Sequence, residues 1–95
     1  MTNEVWKQVE RLHKTAREYW LQTGQESVGH VENITQTALM YRGEKLGTDV
    51  ADIIVVSLMV AGKDEAFPRN VLDEIERLVQ VVCFEAEEKE YDETA

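Results

Sequence analysis

Residues 48–62, TDVADIIVVSLMVAG, decide the fold. Ile53, Ile54, Val55, Val56, Leu58, Met59 and Val60 are interrupted only by Ser57, while Asp49 and Asp52 stand three residues apart at the start. The β-branched content favours a buried strand. Periodicity cannot separate strand from helix in so short an apolar run, so length and flanks must. The stretch is too long for an ordinary strand, and nothing else in the chain alternates with period two to pair with it. Thr48 suits a helix N-cap, Asp49 suits the positive end of a helix dipole, and Gly62 suits the C′ position. The reading is a helix that is apolar on nearly every side.

Such a helix must be covered. Exposing two or three of its Ile, Val or Leu side chains forfeits roughly 1.5–3 kcal/mol each. A homodimer packed around helix 48–62 removes that cost; the alternative is complete wrapping by the other helices of one chain. The expected architecture is an all-α four-helix bundle, assembled as a homodimer.

The flanking sequence supplies the other three helices. Asn3 caps a first helix running to about Gln22, with Val5, Val9, Leu12, Ala16 and Tyr19 at helical spacing and Trp6, His13 and Trp20 beside them. His13 reads as an edge residue of that stripe. Gln22 to Gly29 reads as a break, with Gly24 ending the first helix and Ser27 capping the second. The second helix buries Val28, Val31, Ile34, Ala38, Leu39 and Tyr41. The short connection between Gly43 and Gly47 makes the second and third helices antiparallel neighbours. Pro68 or Asn70 opens a fourth helix whose stripe is Val71, Leu72, Ile75, Leu78, Val79, Val82 and Cys83. It fades after about Glu88, giving one helical domain over 1–88 and an acidic tail over 89–95.

Bulk properties restrict the function. Ninety-five residues make one domain. A hydrophobic content of 43% with 31% charged residues is ordinary for a globular chain. The net charge is −9, yet residues 1–45 balance six basic against six acidic side chains, so the excess lies in 46–95. Without a basic face, direct nucleic-acid binding is not expected; cations or a basic protein partner are better matched. The acidic tail most simply aids solubility. MTNEVWKQ lacks the basic-then-apolar pattern of a signal peptide, and the apolar run is too short for a bilayer, so no membrane role and a cytoplasmic location are expected. The single cysteine, Cys83, forms no internal disulfide and reads as a buried, inert thiol.

The chemistry-bearing residues lie on the second and third helices. Glu32, Asn33 and Gln36 stand at i, i+1 and i+4, and Asp49 and Asp52 at i and i+3. On antiparallel neighbours both sets can reach a shared groove, and clustered oxygen ligands suit Mg²⁺ and its phosphate-bearing partners. Read blandly, they are capping and solvated-face residues.

Residues 28–62 resemble the core of the all-α NTP pyrophosphatases, the MazG-like family. The family signature, Glu-Glu-x-x-Glu on one helix and Glu-x-x-Asp on the next, falls on Glu32-Asn33-Ile34-Thr35-Gln36 and Asp49-Val50-Ala51-Asp52. The apolar run that follows, and WLQTGQESVGH before the first motif, are also similar to the family. The resemblance implies Mg²⁺-dependent hydrolysis of a nucleoside triphosphate to the monophosphate and pyrophosphate by dimers or tetramers with shared sites. Glu32, Asp49 and Asp52 then hold the metal as catalytic carboxylates, with Asn33 and Gln36 as auxiliary ligands.

Lys63 and Arg69, just past the central helix, could meet the phosphates, although ordinary solvated charges explain them more simply. The departures are Asn33 and Gln36, amides where the family has glutamates. An amide ligates through its carbonyl oxygen but brings no charge and cannot act as a general base. Activity is therefore expected to be weakened or lost. The contrasting reading is a non-catalytic acidic helical module or small inhibitor, a dimer that binds a protein through its acidic half or through Trp6 and Trp20. Those tryptophans are more often core than interface.

Overall fold

The computed structural model describes residues 3–42, 48–61 and 67–94, with the backbone alone described at 48–51, 59, 61 and 85–94. Its helices are α1 (Asn3–Thr23), α2 (Glu26–Arg42), α3 (Thr48–Ala61) and α4 (Arg69–Thr94). Every regular element among the described residues is helical. Helix α1 packs between α2 and α4, α2 packs between α1 and α3, and α3 meets α4 only lightly. The five residues 43–47 reach at most about 17 Å, less than the roughly 25 Å length of α2, so α3 must double back along it.

The helix ends follow local rules. Gly24 sits at φ 67° directly after α1, and its N–H donates to the Trp20 carbonyl at 2.7 Å. An L side chain is strained in that left-handed conformation, which is why glycine ends helices there. Ser27 is not the cap of α2: Val28 and Gly29 both donate to the Gln25 carbonyl, at 3.2 and 3.1 Å. The break expected from Gln22 to Gly29 thus shrinks to Gly24 and Gln25. At α4, the Pro68 carbonyl accepts from Leu72 N–H at 3.0 Å, and Asn70 Oδ1 accepts from Val71 N–H at 3.0 Å. Proline lies just ahead of the helix, and Asn70 satisfies one of its free first-turn donors. The backbone of α4 stays helical to Thr94, carrying the acidic tail on the helix rather than releasing it near Glu88.

The core joins all four helices. It comprises Val5, Val9, Leu12 and Ala16 of α1, Val28, Val31 and Ala38 of α2, Val55 and Leu58 of α3, and Val71, Ile75 and Leu78 of α4, with Phe67 ahead of α4. Thr35 is also fully buried, its hydroxyl donating to the Val31 and Glu32 carbonyls at 2.8 and 2.9 Å. The hydroxyl is thereby satisfied within its own helix. Tyr41 and Cys83, both expected inside, are exposed.

Trp6 is buried, not offered to a partner, and the Arg42 guanidinium lies 5.1 Å from its ring centroid. Arg42 also pairs with Glu10 at 3.5 Å and donates to Asn3 Oδ1 at 3.4 Å, fastening the end of α2 to α1. The second tie is Gln8, a buried amide of α1, whose Nε2 donates to the backbone carbonyl of Glu74 at 3.0 Å and to its carboxylate. Arg11 approaches the same carboxylate at 3.9 Å.

Helix α3 turns Val55 and Leu58 inward and leaves a second apolar face outside. Ile53, Val56 and Val60 are 65%, 51% and 65% exposed, with Ser57 between them. These positions are i, i+3, i+4 and i+7, one continuous stripe along a helix. The single chain therefore does not wrap α3.

Candidate functional site

Three of the expected site residues are on α2, and the helix sends them in two directions. Glu32 faces α1 and is largely covered, whereas Asn33 and Gln36 are exposed. The Glu32 partner is His13: Nε2 lies 3.2 Å from Oε1, with side chains 19% and 14% exposed. An ionised carboxylate accepts only, so the contact is a hydrogen bond in the tautomer with the proton on Nε2.

On α3, Asp52 is half-buried, and its Oδ1 is fully buried with no hydrogen-bond partner among the described residues. Buried carboxylate oxygens are rarely left this way, because the lost hydration costs about 1–3 kcal/mol or more. The Asp49 backbone is in the first turn of α3, and its side chain lies outside the described residues. Lys63 also lies outside them. Arg69 opens α4 on the surface, its Nε 3.1 Å from Asp73 one turn on. Such exposed i,i+4 pairs contribute little to stability.

The helix positions give approximate heights along the α2–α3 hairpin. Gln36 is six residues from the end of α2 at Arg42, and Asp52 is four from the start of α3 at Thr48. At 1.5 Å per residue these differ by about 3 Å in height, whereas Glu32 lies roughly 9 Å beyond Asp52. Among the described residues, no group of three His, Cys, Asp or Glu side chains gathers to hold a metal ion. That statement does not reach Asp49, whose side chain is not described.

A shallow depression of about 400 Å³ opens beside Glu32, lined by Trp20, Glu26, Gly29, His30, Glu32 and Asn33. Within it the Trp20 indole lies against the α2 backbone at Gly29. A Cβ placed on Gly29 would stand 2.8 Å from the indole Nε1. His30 and Glu26, 4.0 Å apart on successive turns, form its outer rim.

Comparison with protein-family models, curated proteins and solved structures finds no match. The site must be read from its own atoms.

Sequence reasoning missed two features of this site. The His13–Glu32 contact depends on the register of α1 against α2, which neither helix states alone. The Trp20–Gly29 contact left a readable trace, a glycine inside a helix, where alanine would be preferred by about 1 kcal/mol unless something lies against the backbone. Among the described residues, no helix is long and apolar enough to cross a membrane.

Proposed function

We propose that this chain is a MazG-like, Mg²⁺-dependent nucleoside triphosphate pyrophosphohydrolase of reduced power, hydrolysing a (d)NTP to the monophosphate and pyrophosphate as a cytoplasmic homodimer. The observation that carries the reading is the buried, unpartnered Oδ1 of Asp52, within the motif that the resemblance assigns to metal binding. A cation is one partner that would satisfy such an oxygen. The resemblance assigns it to Glu32, Asp49 and Asp52, with Asn33 and Gln36 contributing neutral oxygens and Lys63 and Arg69 meeting phosphate oxygens; Glu32, turned to His13 on α1, stands apart from Asp52 and does not share an ion with it in this arrangement. A bound divalent ion supplies phosphate-charge screening and a more acidic water.

The chain's own contribution is limited by its amides. Asn33 and Gln36 can orient a nucleotide or water by hydrogen bonds, but neither can take a proton from the attacking water. That is the physical reason to expect slow turnover.

The open face of α3 supports self-association. If two copies pack α3 antiparallel across a twofold axis, each acidic start lies over the other's uncharged apolar end, away from its own like charges. Ile53, Val56 and Val60 then leave water, and Asp52 comes close to the seam where a shared site would form.

The test is release of pyrophosphate from a panel of dNTPs with Mg²⁺, using Asp52→Ala as control. Turnover abolished by the substitution supports the enzyme, and a gain on adding Asn33→Glu and Gln36→Glu together supports a weakened site. A second reading, a non-catalytic acidic dimer that binds a protein partner, is favoured by the exposed apolar face of α3. It prevails if there is no turnover and Mg²⁺ does not raise the melting temperature.

A further inference from the structure

We infer that the depression beside Trp20 is a docking site for a basic protein segment, one of whose arginine side chains it takes against the indole. The inference concerns binding and stands apart from the metal-site reading. Three observations carry it. First, the indole is a placed aromatic surface. Three of its pyrrole-ring atoms lie 2.8–3.3 Å from where a Gly29 Cβ would stand, while Trp20 keeps 40% of its surface open. Helix α2 accepts a glycine, a poor helix former, where the indole meets it. Second, the lining carries two carboxylates, Glu26 and Glu32, and no lysine or arginine; Arg17, one turn before Trp20 on α1, is outside it. The negative end of the α1 dipole and the positive end of the α2 dipole meet here and offset each other, so the carboxylates set the sign. Third, Glu26 is exposed and held only by a 4.0 Å contact with His30, which leaves its carboxylate available to an incoming group.

A guanidinium matches an indole and a carboxylate together. It is planar and weakly hydrated, stacks on aromatic faces, and pairs with a carboxylate through a rigid fork of donors. Trp20 supplies the surface and Glu26 the charge. Glu32, engaged with His13, adds negative potential without a contact. A phosphate-bearing ligand would meet two carboxylates in this depression, and among the described residues no three-ligand group gathers for a metal ion. The net charge of −9 draws a basic segment toward the protein, and the indole gives it a place to rest. Tryptophan and arginine are also prominent among the side chains that anchor protein interfaces.

The experiment follows the amide and indole N–H resonances of the full chain by two-dimensional NMR, without nucleotide or Mg²⁺ and at physiological salt. The probes are an alternating arginine–glycine peptide and its lysine–glycine and citrulline–glycine counterparts. The expected result is movement of the Trp20 indole and the Gly29 and Asn33 amides, with the lysine peptide about threefold weaker or worse and the citrulline peptide silent. Trp20→Ala weakens the arginine peptide about fivefold or more and Glu26→Gln about twofold or more, each with the remaining spectrum retained. Glu76→Gln, an equal charge change on the exposed face of α4, has no such effect. Glu26 is exposed on the surface, so its variant reads the site even where Trp20→Ala fails to fold. No movement at all, movement confined to the acidic end of α4, or equal binding of the arginine and lysine peptides with both variants unaffected overturns the inference. It is overturned too if a deoxynucleoside moves the Trp20 and Gly29 resonances and the peptide does not, which would give the depression to the nucleotide.

Discussion

Gly29 shows how one missing methyl group sets the surface of the candidate site. The Trp20 indole occupies the space that a Cβ would need, at 2.8 Å from Nε1. In Gly29→Ala the indole must swing outward, which it can do because Trp20 is already partly exposed. The gain in helix preference, about 1 kcal/mol, offsets much of the lost stacking, so stability should change by no more than about 0.5 kcal/mol. Tryptophan emission should nevertheless shift to the red and become easier to quench with iodide, since Trp6 stays buried. Unchanged emission would show that Trp20 does not rest on Gly29. At this scale the sequence was only partly legible. His13 was visible at the edge of a stripe, and its partner was not. Arg42 looked like an ordinary charge near a helix end, and only the packing of α2 on α1 brings it over Trp6.

At the scale of elements, the sequence shows the four helices well and their seams poorly. Each stripe of three to five apolar residues at helical spacing reports which face turns inward, which is why Val5, Val9 and Leu12, or Val71, Ile75 and Leu78, were readable. It does not report which polar residue crosses a seam. Gln8 is such a residue, a buried amide whose partner stands 66 positions away on α4. In Gln8→Ala the Glu74 carbonyl and carboxylate each lose one donor in a half-covered seam, Arg11 remaining beside the carboxylate, and urea unfolding should show a loss of about 1–3 kcal/mol. A loss below about 0.5 kcal/mol would mean that water replaces the amide freely. Cys83 illustrates the same limit. Its spacing fits the buried stripe of α4, yet Val81 and Val82 just before it pack against the core while the thiol itself is exposed.

For the whole molecule, the unusual feature of α3 was legible from composition alone: its apolar residues outnumber the one face that neighbouring helices of the same chain can cover. Which half stays outside required coordinates. In solution the protein is expected to sediment as a dimer at micromolar concentration, and Ile53→Lys with Val60→Lys should give a monomer of unchanged helical content. Sedimentation as a monomer before substitution would remove the dimer from the proposal. The candidate site was less legible than the fold for a related reason. Glu32 and Asn33 are adjacent along the chain, but a helix advances about 100° per residue, so Glu32 turns to His13 while Asn33 meets solvent. Gln36, one turn on from Glu32, is exposed as well.

The two-residue corner at Gly24 and Gln25 has a kinetic consequence. Helices joined so closely find each other with little loop-closure entropy, whereas α4 must return to α1 from the far end of the chain. Structure should therefore nucleate where Leu12 and Ala16 meet Val28 and Val31, and the contact of Gln8 with Glu74 should be among the last to lock. Substitutions near the corner would slow acquisition of the native state, and those along the α1–α4 seam would chiefly hasten its loss.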